Sequence, residues 1–207
     1  AGSLLTMKKR SAIRLIATSA LFAGVGGLLS ACSESKPQFS SVDVTGVTYA
    51  KDFELTDHNG QVRRLGDFKG KIVVMFFGFT QCPDVCPTSM TELAEVKKAL
   101  GADGDKLQGL FVTVDPARDT PEVLKGYMEN FDPTFLALYT TPDKLAALAK
   151  DFKVYYKRVD GQTPTSYTMD HSAGSYIYDT KGNLRLFTRY GSGAKVLAAD
   201  IQQLLKS

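Results

Sequence analysis

The stretch IVVMFFGFTQCPDVCPTSM, Ile72 to Met90, decides how the rest of the chain is read. Ile72–Phe79 is apolar at every position, as in a strand buried on both faces of a sheet that carries helices on each side. Two cysteines follow at once, Cys82 and Cys86, each trailed by a proline. Thr88–Leu100 then places Met90, Leu93, Ala94, Val96 and Leu100 on one stripe, opposite Glu92, Glu95, Lys97 and Lys98, which predicts a helix. The pair therefore sits past the C-terminal end of a buried strand, at the mouth of the next helix. In an open α/β sheet that edge is where sites are built.

Outward from this stretch the pattern alternates. Upstream, KDFELTDHNGQVRRL reads as a hairpin turning at Asn59-Gly60. Downstream come a buried strand at Leu107–Val114, a helix at Pro121–Asn130 with Thr120 as its cap, and a strand at Phe135–Tyr139. A helix at Pro142–Phe152 follows, then strands at Ser175–Asp179 and Leu184–Tyr190 around a Lys181-Gly182-Asn183 turn, and a closing helix at Lys195–Leu205. This order predicts an α/β protein with a mixed central sheet flanked by helices: a thioredoxin-like fold with an added N-terminal β-hairpin.

The chain has 207 residues and a net charge of +3 with both signs scattered, and no Lys/Arg cluster of the kind a nucleic-acid surface needs. Lys153, Lys157 and Arg158 beside Tyr155 and Tyr156 read as solvated surface. From Met7 the sequence runs MKKRSAIRLIATSALFAGVGGLLSAC: a basic start, an apolar stretch shorter than a membrane span, and Leu29-Ser30-Ala31-Cys32. That is the form of a bacterial lipoprotein signal peptide over 7–31, with Cys32 as the lipidated first mature residue. Residues 1–6 read as an addition ahead of the natural start, 32–48 as a flexible tether, and 49–207 as one domain. The expected location is the cell envelope, lipid-anchored, with the domain facing the periplasm or outside.

With Cys32 assigned to the lipid, Cys82 and Cys86 are the only mature cysteines. In an oxidising compartment the pair can be a staple, a redox couple or a pair of metal thiolates. A staple over so short a loop removes little chain entropy. A helix N-terminus beside the sulfurs favours thiolates. Of the two histidines, His58 falls in the hairpin turn and reads as solvated, while His171 precedes a strand 85 residues beyond Cys86, so only the fold can bring it to the sulfurs. Two thiolates and an imidazole suit Cu(I) or Cu(II), whereas structural zinc wants a fourth ligand. Met169 and Asp170 are adjacent candidates for a weak contribution.

Three segments, GFTQCPDVCPTSM, FVTVDPARDTPEVLKGY and YTMDHSAGSYIYDTKG, resemble the Sco/SenC family in order and spacing. These are thioredoxin-like copper-binding proteins that help mature the CuA centre of cytochrome c oxidase. The resemblance runs from Phe53 to Leu205. It implies Cys82 and Cys86 as thiolate ligands, His171 as the imidazole ligand, one bound copper, and oxidase subunit II as the partner of a monomeric metallochaperone. The competing reading is a thiol–disulfide oxidoreductase that reduces the apo-CuA cysteines or another exported protein. A peroxidase relative fits less well, because that chemistry isolates one peroxidatic cysteine. Asp115, Arg118 and Asp119 read as loop-shaping groups, with a partner-facing or redox-tuning role as the alternative. Asp84, between the cysteines, reads as an exposed charge, with anion repulsion or a partner contact as the alternative.

Overall fold

The computed structural model describes residues 38–163 and 166–207. Ile72–Gly78 (β4) and Leu107–Thr113 (β5) are buried at every position and pair in parallel at the centre of an eight-stranded sheet. Leu136–Tyr139 (β6) continues the parallel run beyond β5. On the other side of β4, Gly174–Tyr178 (β9) and Leu184–Arg189 (β10) add antiparallel strands. The predicted hairpin is Glu54–Asp57 (β2) and Val62–Arg64 (β3), joined to the sheet through β6, and Val42–Asp43 (β1) edges the far side. The full order is β1-β10-β9-β4-β5-β6-β2-β3.

The helices are Val85–Ala99 (α1), Pro121–Met128 (α2), Pro142–Phe152 (α3) and Ala194–Leu205 (α4), and α1 packs on α4. The thioredoxin-like layout with its added hairpin is thus the observed one. The Thr120 hydroxyl caps α2 by accepting from the Val123 amide, with Pro121 in the first turn.

Four features differ from the sequence reading. Helix α1 begins at Val85, between the cysteines, rather than at Thr88. Pro87 permits this, since first-turn amides have no intrahelical partner to lose. Second, Tyr156–Asp160 (β7) and Tyr167–His171 (β8) form a separate two-stranded sheet, each strand pairing only with the other. Its residues are mostly exposed, so neither strand carries the apolar alternation that announces a strand.

Third, the expected tether is docked over 38–48. The Ser40 and Ser41 amides donate to the two oxygens of buried Asp200, β1 pairs with β10, and Phe39, Val44 and Val47 pack on the core. Fourth, His58 is half-buried rather than solvated, and its Nδ1 accepts from the Ala137 amide at 3.1 Å. The signal peptide, Cys32 and residues 1–6 lie outside the described residues.

Candidate metal centre

The chain leaves β4 through Phe79 and turns tightly, with the Cys82 amide donating to the Phe79 carbonyl at 3.2 Å. This brings Cys82 to the surface just ahead of α1, half-buried, while Cys86 enters the first turn of the helix and is fully buried. The Cys86 amide points at the Cys82 sulfur at 3.5 Å, one of the orphan donors of the helix N-terminus. Both cysteines are free thiols.

His171 ends β8, where the ribbon returns toward β9. Its Nε2 stands 3.5 Å from Cys86 Sγ, and the donor atoms of Cys82, Cys86 and His171 all lie within 4.8 Å of one another. Ligands held at about 2.0–2.3 Å from one ion stand about 3.5–4 Å apart in a trigonal array, so little movement is needed to share an ion. Among the described residues no other His, Cys, Asp or Glu joins this group. Asp170 lines the same cleft without contributing an oxygen, and Met169 is buried along its wall. His58 is bound to Ala137, on β6, and takes no part.

The imidazole is held on two sides. Nδ1 lies 3.0 Å from the Ser172 carbonyl, which can only accept, so Nδ1 carries the proton and Nε2 presents its lone pair to the sulfurs. Phe76 and Phe79 meet the ring edge-on, at centroid distances of 6.0 and 5.8 Å. Burial keeps this histidine below its ordinary pKa, so it stays neutral. Burial also pushes the Cys86 thiol far up. The helix N-terminus expected to favour thiolates is therefore outweighed at Cys86 by loss of water. A cation among these donors reverses that balance, because a coordinated thiol gives up its proton.

An open cleft of about 350 Å³ exposes the Cys82 side of the group, bordered by Phe79, Pro83, Asp84, Tyr155 and His171. Asp84 is exposed at the start of α1, as expected. Behind the cleft, the β5–α2 loop is anchored by two acids. Buried Asp119 accepts from the Thr80 amide and hydroxyl and from the Thr113 hydroxyl, at 3.1, 2.6 and 2.5 Å. Asp115 accepts from Arg118 Nε at 2.5 Å and from the Tyr167 hydroxyl at 2.8 Å. The loop-shaping role expected of Asp115, Arg118 and Asp119 is what these bonds perform. Sequence reasoning missed Phe79 and Tyr167; nothing in an aromatic residue's neighbours along the chain tells which side chain it will meet.

The family described as SCO1/SenC matches residues 43–206. A SCO2-like protein of Rickettsia felis is 37% identical over 183 residues, 85% of this chain and 89% of the relative. Among solved structures, Bradyrhizobium japonicum ScoI with copper bound is 40% identical with a TM-score of 0.68, covering 74% of this chain and 97% of that one. Yeast Sco1 with copper bound is 31% identical with the same TM-score, covering 83% and 90%.

Proposed function

Because the chain belongs to the SCO1/SenC family, we propose that it carries one copper ion between Cys82, Cys86 and His171 and delivers it to the CuA site of cytochrome c oxidase subunit II. The observation that carries this is the convergence of two sulfurs and an oriented imidazole lone pair. The donor set is soft, which suits Cu(I), and the added nitrogen gives Cu(II) a third ligand. Copper in two relatives at 40% and 31% identity supports the same assignment. The half-exposed Cys82 gives a client's ligands a place to enter, while Cys86 and His171 hold the ion from below. The proposed setting is the cell envelope, with residues 7–31 as signal peptide and Cys32 lipidated. Among the described residues no helix is long and apolar enough to cross a membrane.

The second reading, thiol–disulfide exchange, is favoured by the accessible Cys82 sulfur with a second thiol beside it. There the Cys82 thiolate attacks a client disulfide, Cys86 displaces the mixed disulfide, and the client leaves as a dithiol while the pair becomes a disulfide. The two roles alternate, since a disulfide has no thiolate for copper.

Titrating the reduced protein with Cu(I) and Cu(II), with metal counted per chain, tests the copper reading. One copper per chain is expected, none at this site after oxidation of the pair, and unchanged binding in His58→Ala. Copper retained equally by the oxidised protein overturns it.

A further inference from the structure

The β7–β8 ribbon carries His171 yet makes no hydrogen-bonded strand pairing with the main sheet, so side chains must fix it to the body of the protein. Arg118 is placed to do so. Its Nε binds Asp115, and one terminal nitrogen donates both to Gln81 Oε1 at 3.0 Å and to the Tyr167 carbonyl at 2.8 Å. Its guanidinium lies 3.5 Å from the centre of the Tyr167 ring and 5.9 Å from that of Phe79. Arg158 covers the same tyrosine at 3.9 Å, and two groups so close to one ring must occupy opposite faces. The Tyr167 hydroxyl closes the circuit on Asp115.

The connectivity is the point. Gln81 immediately precedes Cys82, and Tyr167 opens the strand that His171 ends. One side chain from a third segment thus ties the sulfur loop to the imidazole strand. The fork of a guanidinium can reach three acceptors at fixed angles; an ammonium cannot.

Resting on the copper reading above, we propose that Arg118 is a positioning residue. Through Tyr167 and Gln81 it sets the distance between the His171 imidazole and the sulfurs, and so sets how strongly the site holds Cu(II) relative to Cu(I). Cu(I) is satisfied by two thiolates and tolerates a displaced imidazole. Cu(II) requires the nitrogen and loses affinity when it drifts.

The test uses Arg118→Lys, which keeps the charge and removes the fork, and Tyr167→Phe, which keeps the ring and removes the bond to Asp115. Copper affinities in both oxidation states, the Cu(II)–thiolate absorption, and the His171 ring resonances of the metal-free protein are measured. In Arg118→Lys, Cu(II) affinity should fall about 10–100-fold, the range for lost groups that orient a metal ligand. Cu(I) affinity should stay within about threefold. The absorption band should change and the His171 resonances should shift or broaden without metal. Tyr167→Phe should show the same signs more weakly, and it carries the test alone if Arg118→Lys does not fold. Equal losses for Cu(I) and Cu(II), or unchanged Cu(II) binding with unmoved His171 resonances, overturn the proposal. A wild-type protein that takes no copper defeats the functional reading instead, and the metal-free resonances still decide whether Arg118 positions the ring.

Discussion

At the scale of single residues, the site depends on one missing side chain as much as on three present ones. A Cβ at Gly78 would come within 2.8 Å of both Phe76 and Phe111 and within 2.9 Å of the Cys86 sulfur. Glycine here lets α1 press its first turn against the end of β4, which is why Cys86 is buried and aimed at His171. Gly78→Ala should therefore cost stability on the order of 1–3 kcal/mol, as overpacking does, and weaken copper binding by displacing Cys86. Thermal unfolding and copper competition check both, and a variant matching wild type in each contradicts the packing. The three residues that converge were legible as candidates: Cys82 and Cys86 from their place between strand and helix, His171 from metal chemistry joined to the family resemblance. Gly78 was not, since its role depends on Phe111, 33 positions away (111 − 78), and on the one face of β4 that α1 covers. His58 was misjudged for a related reason. A turn beside Gly60 looks solvent-facing in sequence, and only the pairing of β2 with β6 brings the Ala137 amide to its ring.

At the scale of elements, two hairpins are built by one device. The β2–β3 turn reads Asp57-His58-Asn59-Gly60-Gln61-Val62-Arg63, and the β9–β10 turn reads Asp179-Thr180-Lys181-Gly182-Asn183-Leu184-Arg185. In each, the aspartate oxygens accept two turn amides and an arginine from the returning strand, and the glycine sits at positive φ, +80° or +84°. Burial alone would raise both carboxyls, but their hydrogen bonds and arginine partners outweigh it and hold both below 3.8. The folded value lies below the unfolded one, so this stabilisation is complete above pH 3.8 and is lost as pH falls through the folded value. Asp57→Asn and Asp179→Asn should each destabilise by about 1–3 kcal/mol near neutral pH. Each should also lose stability less steeply between about pH 4 and 2, since the titrating group is gone. Denaturant unfolding over that range measures the slope, and wild-type slopes in both variants would contradict the device. These hairpins were readable because their signals are local: turn residues between short apolar runs. The β7–β8 ribbon was not, because Tyr167 and Met169 are held by partners distant in sequence, Arg118 and the core.

At the scale of the whole molecule, the described segment leading into β1 is fastened to α4 and the candidate metal cleft is left open. Asp200 holds the amides of Ser40 and Ser41, and Gln203 donates to the Gln38 carbonyl. If Cys32 carries the lipid as proposed, the six steps to Gln38 (38 − 32) span at most about 20 Å, keeping the domain close to the membrane face. The remaining choice is what passes between the site and its proposed client, copper or electrons. His171→Ala separates the two. It removes the third donor but leaves Cys82, Cys86 and the helix N-terminus that exchange requires. The variant should keep a Cys82–Cys86 pair able to form and break its disulfide, hold Cu(II) far more weakly than wild type, and fail to restore oxidase activity in a deletion strain under limiting copper. Cys82→Ala should fail on both counts. Full rescue by His171→Ala beside no rescue by Cys82→Ala would mean that the sulfurs act on the client as a redox couple and that copper is not the cargo.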